Sequence, residues 1–480
     1  MYDNSRLRAR AIRDYDMKFN ISVREFLERS RAGSFDYVSF ADALMAELQR
    51  INKKYACLRE IIDIRTRLAI QPDLNGLPVS VKDCICVKGV GSFAGSRILE
   101  GYVPPFDATA VARAKARGAI IIGKTNQDEF GFGTFNTNSG FGVPKNPLDP
   151  QRVCGGSSGG AACLAAALDM PHIALAESTG GSISCPAAWC GVVGLTPTYG
   201  LVSRWGLIDY ANSLDKIGAI GKSVYDAALL LSVICGKDER DATSLDHPVH
   251  DYTAFAERRE LHGVKVGIPK EYFENADSEV EKTVWSAIKK LESLGASVSE
   301  MSLPLTKYAL PAYYIIATAE ASTNLAKFCG IRYGMHAELK GSATEYFSHV
   351  RAAGFGEEAK RRVMLGTFAR MAGYKDAYYT KAMQIRTLVI KEFKQAFKRF
   401  DLLAAPTMPM LPPKFEDIGK LAPSEVYQMD VLTVPANLAG LPHLSVPAGK
   451  MVGLHLIGDH TQEPRLIEVG SAFEQAKSGP

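Results

Sequence analysis

The chain has 480 residues, of which 46% are hydrophobic and 22% are charged. These proportions are typical of a folded globular protein and exclude an intrinsically disordered chain. The formal net charge of +4 comes from 56 basic and 52 acidic side chains spread along the sequence, so it does not by itself indicate nucleic-acid binding. The length is ample for a catalytic cleft within one large α/β domain.

The N-terminal sequence and the cysteines bear on location and on metals. The first residues carry charges where a signal peptide needs an apolar core, and no uncharged apolar run reaches about 18 residues. The nine cysteines include no C-x-x-C pair, so the sequence predicts neither a zinc ribbon nor a disulfide framework. We therefore expect a cytoplasmic chain that binds no metal and no membrane.

The first predicted elements are a helical lead-in and a strand. Residues 22–64 have apolar side chains at steps of three and four residues, which predicts helices. Residues 77–83 alternate between apolar and polar side chains, as a strand does. This alternation places Lys82 on the opposite face from Val79 and Val81, where a lysine can project into a cleft.

The rest of the chain repeats a pattern of helix followed by strand, which is typical of α/β proteins. The first such helix should be capped by Asp107 and end at Gly118. The predicted elements are a helix and strand over residues 108–122, a helix and strand over 277–298, a long helix over 376–399 and a buried strand over 401–406.

Two Gly-Gly-Ser clusters stand out, CGGSSGG at residues 154–160 and STGGS at 178–182. Glycines beside a serine allow the backbone to approach a ligand closely, and successive N–H groups in such a turn can bind an oxyanion. A serine is a weak nucleophile, so it needs a base, and a buried, uncharged lysine can serve as one. The candidate groups are Lys82, Ser157, Ser182 and, as a spare hydroxyl, Ser158.

Two motifs suggest other chemistry. Residues 118–125 match the Walker A spacing of a nucleotide-binding loop, but the four intervening residues are themselves a predicted strand, which would use the N–H groups that a phosphate needs. Residues 155–159 match the G-x-S-x-G elbow of serine hydrolases, although a loop precedes them instead of a strand. A histidine-based triad stays open, because His247, His250 and His443 lie downstream.

Several longer segments between about residues 75 and 460 carry the most specific signal. They are LPVSVKD, GAIIIGKTNQDEFGFG, CGGSSGGAA, STGGSISCPAAWCGVVGLTPTYGLVSRWGLIDYANSLDKIG, YYIIATAEASTNLAKFCGIRYG, RRVMLGTFARMAGY and LTVPANLAGLP. In these segments the chain resembles the amidase signature family, and within it the A subunits of aspartyl/glutamyl-tRNA amidotransferases. The resemblance implies an α/β fold with a large mixed central β-sheet covered by helices on both faces. It also implies a helical N-terminal segment over residues 1–70 and a single amidase signature domain over 71–480.

The resemblance implies a Ser-cisSer-Lys triad in which Ser182 is the nucleophile, Ser157 is the relay after a cis peptide bond and Lys82 is the base. The oxyanion would be bound by four successive backbone N–H groups, those of Thr179, Gly180, Gly181 and Ser182. An amino acid zwitterion needs one cationic and one anionic partner. The implied partners of glutamine are one arginine of the Arg361-Arg362 pair, with Arg362 favoured, together with Asp430 and the nearby Tyr313.

By the same resemblance, the chain would hydrolyse glutamine through an acyl-enzyme and pass ammonia to a B subunit, while a small C subunit clasps the pair. The B subunit would use ATP and magnesium to amidate aspartyl-tRNA(Asn), glutamyl-tRNA(Gln) or both, and would make most of the tRNA contacts. No cofactor is implied in this chain. Two alternatives remain, a stand-alone amidase for small carboxamides with the same triad, and a non-catalytic scaffold or nucleotide-binding module built on residues 118–125.

The sequence departs from the family pattern beside the expected nucleophile. The family usually has Asp-Thr-Gly-Gly-Ser-Ile-Arg there, whereas this chain has Ser178 and Ser184 at the Asp and Arg positions, followed by Cys185. We therefore expect a different local network around Ser182. The neighbouring cysteines have small or apolar neighbours, which favours a buried hydrophobic role over a thiol mechanism.

Overall fold

The computed structural model describes residues 19–65, 73–274 and 276–477, and the structural statements below concern these residues. One sheet of eleven strands organises this part of the chain. The strands are β1 (Leu58–Ile61), β2 (Pro78–Lys82), β3 (Ile120–Thr125), β4 (Ile173–Ser178), β5 (Val193–Thr196), β6 (Lys216–Gly221), β7 (Lys265–Pro269), β8 (Ser297–Met301), β9 (Leu402–Pro406), β10 (His443–Gly449) and β11 (Val452–Gly458). Their order across the sheet is β1-β3-β2-β4-β6-β5-β10-β11-β9-β7-β8.

The helices are distributed along the whole of the described chain. They are α1 (Val23–Arg31), α2 (Tyr37–Tyr55), α3 (Thr109–Ala116), α4 (Gly159–Ala167), α5 (Ser184–Cys190), α6 (Val224–Ile234), α7 (Ser278–Ser293), α8 (Thr306–Asn324), α9 (Ala343–Gly354), α10 (Glu357–Arg370), α11 (Lys381–Ala396), α12 (Phe415–Ile418), α13 (Pro423–Gln428), α14 (Val434–Leu438) and α15 (Glu463–Lys477). None of the helices within these bounds is long and apolar enough to cross a membrane.

The sheet is mixed, as predicted. β2 runs parallel to both β3 and β4, and β7 runs parallel to both β8 and β9, whereas the remaining neighbours are antiparallel. Every residue of β2, β3, β4 and β6 is buried, so both faces of the sheet are covered in this region. The predicted α/β fold with a large mixed sheet is therefore confirmed.

The lead-in is helical at first and then joins the sheet. α1 and α2 bury the apolar side chains that set the predicted period, including Phe26 and Leu48. Ala56, the residue after α2, has a left-handed φ of 53°, and the chain continues as β1, antiparallel to β3. The helical prediction was therefore wrong for residues 58–61, because pairing with the sheet edge overrides local periodicity. Residues 1–18 and 66–72 of the predicted lead-in and its junction lie outside the described residues.

The predicted cap of α3 was also wrong. The Asp107 carboxylate does not cap the helix but accepts hydrogen bonds from the backbone N–H of Lys88 and from Nζ of Lys115, both at 2.8 Å. Gly118 ends the helical segment with a φ of +91°, as predicted. The long helix expected over residues 376–399 begins with a π-helical turn, Asp376–Thr380, before α11.

The Walker-like segment is a buried strand. Its residues 120–125 form β3, between β1 and β2, so their N–H groups belong to the sheet. Lys124 is fully buried, and its Nζ donates to the backbone oxygen of Ile85 and, at 3.0 Å, to Oγ of Ser92. This geometry contradicts a phosphate-binding loop at this segment.

Candidate active site

The site lies where two adjacent parallel strands end. β2 ends at Lys82 and its neighbour β4 ends at Ser178, so their carboxyl ends meet at one edge of the sheet. Nζ of Lys82 donates to Oγ of Ser157 at 2.7 Å and to Oε2 of Glu177 at 2.8 Å. It also donates to the backbone oxygen of Glu177 at 3.0 Å. The side chains of Lys82, Ser157 and Glu177 are all buried, so the lysine is held by a hydroxyl and a carboxylate away from solvent.

Ser157 lies in the turn that leads into α4, and the Gly156–Ser157 peptide bond is cis. Asp128 contacts this turn, since its backbone N–H donates to the backbone oxygen of Ser157 at 3.3 Å. Its carboxylate accepts the N–H groups of Asn136 at 2.9 Å and Asn138 at 2.8 Å. A Cβ on Gly156 would lie 2.2 Å from Oδ2 of Asp128, so only glycine fits there. Burial raises the pKa of Asp128 to about 7.

Ser182 lies in the turn between β4 and α5, and it is 6% exposed. Its backbone oxygen accepts the N–H of Ser158 at 3.2 Å, which ties the two Gly-Gly-Ser clusters together. The N–H groups of residues 179–182 donate to no group in the described ranges, and they are therefore available to a ligand.

The glycines of this turn are required by close neighbours. A Cβ on Gly180 would lie 2.8 Å from the hydroxyl of Tyr313, and a Cβ on Gly181 would lie 2.3 Å from Oγ1 of Thr433. Larger residues would have to displace the turn or these neighbours. Tyr313, which the sequence placed near the substrate, is thus in contact range of the predicted oxyanion turn.

Arg362 is buried on α10 among aromatic rings. Its Nε donates to Oε1 of Glu358 at 2.8 Å, and its Nη1 donates to the hydroxyl of Tyr210. Its guanidinium carbon lies between 5.1 and 5.6 Å from the centres of four rings, those of Phe132, Tyr210, Tyr314 and Tyr427. Burial acts to lower the pKa of Arg362, but the nearby tyrosines and Glu358 outweigh it and raise that pKa, so the group is a permanent cation. In the described chain, Nη2 makes no hydrogen bond.

Asp430 supplies the opposite charge. Its carboxylate accepts from the hydroxyl of Tyr314 at 2.6 Å and from Oγ1 of Thr134, which is 3.1 Å from both oxygens. Burial raises the pKa of Asp430, while the hydrogen bonds and Arg362 oppose that rise. Tyr314, the neighbour of the predicted Tyr313, is therefore the tyrosine that binds this carboxylate.

A cavity of about 180 Å³ opens beside these groups. Its lining includes Thr134, Arg361, Arg362, Glu358 and Tyr427, so it lies between the loop that carries Asn136 and the first turns of α10. Arg361 is 43% exposed and also pairs with Glu358, whereas the Arg362 side chain is 4% exposed. The geometry thus favours Arg362 as the arginine that faces a buried ligand.

The departures from the family pattern take part in a neutral network. Oγ of Ser184 lies 3.0 Å from Nδ1 of His443, whose other ring nitrogen lies 3.1 Å from Nδ2 of Asn437. Burial lowers the pKa of His443, so the ring is uncharged. Oγ of Ser178 donates to the backbone oxygen of Gly180 at 3.3 Å. Hydroxyl and imidazole groups therefore stand in this neighbourhood where the family pattern has an acid and an arginine.

The histidine alternative finds no support in the described chain. The hydroxyl of Ser157 bonds to a lysine, and His443 bonds to Ser184. Burial raises the pKa of Cys185, which keeps its thiol protonated and unreactive. Across the described ranges, no group of three or more His, Cys, Asp or Glu side chains could hold a metal ion.

The main site residue that the sequence did not single out is Glu177. It is the first letter of the segment ESTGGS, directly before the second cluster. The signal was a charged residue inside an otherwise apolar strand, which is unusual unless the charge is paired. Its pairing with Lys82 depends on the neighbouring positions of β2 and β4, which local sequence does not reveal.

Comparison with known proteins identifies the family. The Amidase family model matches residues 23–467. The A subunit of glutamyl-tRNA(Gln) amidotransferase from Methanococcoides burtonii is 51% identical over 95% of this chain and 96% of its own length. The corresponding A subunit from Carboxydothermus hydrogenoformans is 46% identical over 95% of this chain and 97% of its own length. The crystal structure of the A subunit from Thermotoga maritima superposes with a TM-score of 0.79, at 35% identity and 95% coverage of both chains. The chain belongs to the amidase family.

Proposed function

We propose that this chain is the glutaminase subunit of a tRNA-dependent amidotransferase that serves glutamyl-tRNA(Gln). The observation that carries the proposal is the buried Lys82–Ser157 hydrogen bond of 2.7 Å, beside a Ser182 turn whose N–H groups are free within the described residues. The names of the relatives, which match this chain over nearly its full length, supply the tRNA-dependent part. The proposed function places the chain in the cytoplasm, where aminoacyl-tRNA is made and used.

The chemistry begins with Lys82 as a neutral amine. Ser157 gives its proton to Lys82 and takes the proton of Ser182, whose oxygen attacks the carboxamide carbon of glutamine. The proton then returns through Ser157 to the leaving nitrogen, the carbon–nitrogen bond breaks and ammonia departs. Water, activated by the same relay, hydrolyses the acyl-enzyme to glutamate and regenerates Ser182.

The turn before Ser182 would stabilise the oxyanion. Thr179, Gly180, Gly181 and Ser182 present successive N–H groups that no other described group uses. Because Tyr313 and Thr433 approach Gly180 and Gly181 so closely that a Cβ would not fit, we expect the turn to be held in place and its donors to need little reorganisation as charge develops. Each donor of this kind contributes on the order of 3 kcal/mol to transition-state stabilisation.

Two opposite charges would recognise the amino acid part of glutamine. The free Nη2 of Arg362 would bind the α-carboxylate, and the carboxylate of Asp430 would bind the α-ammonium group. Tyr313 would lie against the substrate beside the oxyanion turn. A stand-alone amidase for simple amides has no need of such a pair, so this pair favours glutamine over the second candidate.

The proposal requires partners that use the ammonia, and α10 offers a surface for one. Six apolar or aromatic side chains on α10 and on the segment that follows it, as far as the π-helical turn, have exposures from 41 to 72%. They are Met364, Leu365, Phe368, Met371, Tyr374 and Tyr378. Contiguous exposed apolar patches of this kind mark protein interaction sites. The B and C subunits are proposed as the partners. In this proposal the B subunit binds ATP and magnesium and also makes most of the tRNA contacts.

The test is copurification of the chain with the B and C subunits, followed by glutamine-dependent amidation of misacylated tRNA. We expect ammonia release from glutamine that rises in the complex and is lost in Lys82→Ala and Ser182→Ala. Glutaminase activity that survives both substitutions would refute the triad.

Efficient hydrolysis of aryl amides with no activity on glutamine would favour the stand-alone amidase. Tight ATP binding by the chain, lost in Lys124→Ala, would revive the nucleotide-binding alternative.

A further inference from the structure

The Lys82 ammonium has three N–H bonds, and each has an acceptor. The acceptors are Oγ of Ser157 at 2.7 Å, Oε2 of Glu177 at 2.8 Å and the backbone oxygen of Glu177 at 3.0 Å. Two of the three therefore come from one residue, and both ions are buried, at 0 and 3% exposure. A lysine that must act as a base through Ser157 thus stands in direct contact with a carboxylate.

The second carboxylate oxygen of Glu177 continues into a hydrogen-bonded chain. Oγ1 of Thr179 lies 2.8 Å from Oε1 of Glu177 and 2.7 Å from Oδ1 of Asp215. One hydroxyl has a single proton to donate, so it cannot satisfy two ionised carboxylates. One of the two acids must therefore be protonated for this chain to be satisfied.

Asp215 is the acid that holds the proton. Burial and the nearby charge of Glu177 raise the pKa of Asp215 well above its usual range, despite hydrogen bonds from Thr179 and the N–H of Ala211. Protonated Asp215 donates to Thr179, Thr179 donates to Glu177, and Glu177 keeps its negative charge for Lys82. The chain also fixes the side chain of Thr179, whose N–H belongs to the proposed oxyanion turn.

We propose that Glu177 is a positioning residue that orients Lys82 and stabilises the ammonium formed when Lys82 takes the proton of Ser182 through Ser157. This proposal rests on the proposed function. Once Lys82 has lost a proton and can act as a base, the amine points its lone pair at the Ser157 hydroxyl and donates to the backbone and carboxylate oxygens of Glu177. When the proton arrives, a buried cation forms 2.8 Å from the fixed carboxylate. The carboxylate thus acts on lysine as the aspartate of a serine-protease triad acts on histidine.

Three other titratable groups face the pair and must be considered in any pH experiment. They are Asp128, whose backbone contacts Ser157, Cys84, which follows β2, and Asp215, which precedes β6. Burial raises the pKa of Cys84, so its thiol stays neutral, whereas Asp128, with a pKa of about 7, titrates in the assay range. Asp128 is present in the wild type and in every variant below, so all of the profiles are compared with this group in place.

The test is the pH profile of kcat/KM for ammonia release from glutamine, measured on the full complex. In Glu177→Gln, we expect turnover to fall at least tenfold, because the ammonium formed in the reaction loses its partner. We expect the acid limb of the profile to move to lower pH by about one to three units, because a lysine without an adjacent anion loses its proton more readily. Glu177→Asp, which keeps the charge, should return the limb toward its wild-type position.

Two further variants separate this role from structural damage. Glu463→Gln makes the same change at a buried glutamate that binds the N–H of Thr198, and its acid limb should not move. Asp215→Asn offers an N–H donor to Thr179 as protonated Asp215 does, so its limb should also stay in place. An unmoved limb in Glu177→Gln, or an equal shift in Asp215→Asn, would overturn the proposal. Loss of activity in Lys82→Ala and Ser182→Ala with such a result would leave the proposed function standing, whereas activity retained in both would refute that function itself.

Discussion

Arg362 and Glu358 are joined by a hydrogen bond of 2.8 Å from Nε to Oε1 across one turn of α10. Glu358 also accepts from the hydroxyl of Tyr427 at 2.8 Å. Burial acts to raise the pKa of Glu358, but Arg362 and Tyr427 outweigh it and lower that pKa, so the carboxylate is ionised. Nε and Nη1 of Arg362 therefore already have partners, while Nη2 remains free among the described groups. Because the guanidinium is already held in place, Nη2 can donate to a carboxylate with little further loss of side-chain entropy.

Replacing this arginine should weaken glutamine recognition. A hydrogen bond to a charged group contributes about 1.5–3 kcal/mol, so Arg362→Lys should lower kcat/KM for glutamine roughly 10- to 100-fold, mainly through KM. Steady-state kinetics of ammonia release measure this effect. Arg361→Lys is the matched control, since Arg361 precedes it, also pairs with Glu358 and is 43% exposed. A larger effect at Arg361 than at Arg362 would reverse the assignment of the carboxylate ligand.

Binding through Asp430 should depend on pH. The carboxylate must be ionised to bind an ammonium group, and burial raises its pKa above the ordinary aspartate value. As pH falls through this raised pKa, Asp430 takes up a proton, so KM for glutamine should rise about tenfold per pH unit below it. The rise should begin at a higher pH than an exposed aspartate would give. In Asp430→Asn, KM should be high and flat over the same range; a wild-type KM that does not change with pH contradicts this role.

The sequence predicted the parts of the site that depend on local chemistry. The alternation of apolar and polar residues in β2 predicted the face on which Lys82 lies, and the two glycine-serine clusters indicated Ser157 and Ser182 as candidates. Glu177 was not foreseen, because its partner comes from a strand about 95 positions away and the register between β2 and β4 is not a local property. The predicted helix cap at Asp107 was wrong for a related reason, since the backbone N–H of Lys88 and Nζ of Lys115 bind its carboxylate instead.

The fold shows the same division between local and long-range information. Periodicity identified α1, α2 and the strands around the site, but it extended the helical lead-in over the residues that form β1. An edge strand of four residues is decided by the neighbour with which it pairs. The hydroxyl of Tyr210 likewise reaches Arg362 from 152 positions away, which no sequence pattern could indicate.

A methyl group in the oxyanion turn should reduce turnover. In Gly181→Ala the added carbon would lie 2.3 Å from Oγ1 of Thr433, so the turn must shift. A displacement of about 1 Å can cost roughly 100-fold in rate, and we expect kcat to fall by about that factor with KM little changed. Gly419→Ala is the control, because a Cβ there meets nothing within 4 Å. Equal kcat values for the two variants would exclude a positional role for the turn.

The exposed surface of α10 should be required for assembly but not for folding of the chain. Leu365 and Phe368 are 47 and 42% exposed, and the ring of Phe368 lies 4.5 Å from that of Tyr374, so together they form one apolar patch. The same helix carries Arg362, so a partner bound there would lie next to the cavity that Arg362 lines. We expect Leu365→Glu combined with Phe368→Glu to abolish copurification with the B subunit, because binding would bury two unpaired charges.

The control for this surface is Leu339→Glu, a change of the same kind at a side chain that is 79% exposed and lies before α9. Leu339→Glu should bind the B subunit to the same extent as the wild type does. Thermal unfolding should give similar midpoints for all three proteins, since exposed substitutions usually change stability by less than about 0.5 kcal/mol. If the double variant still assembles, the partner binds elsewhere. If both variants lose the partner, added charge alone disrupts the complex, and the patch on α10 has no special role.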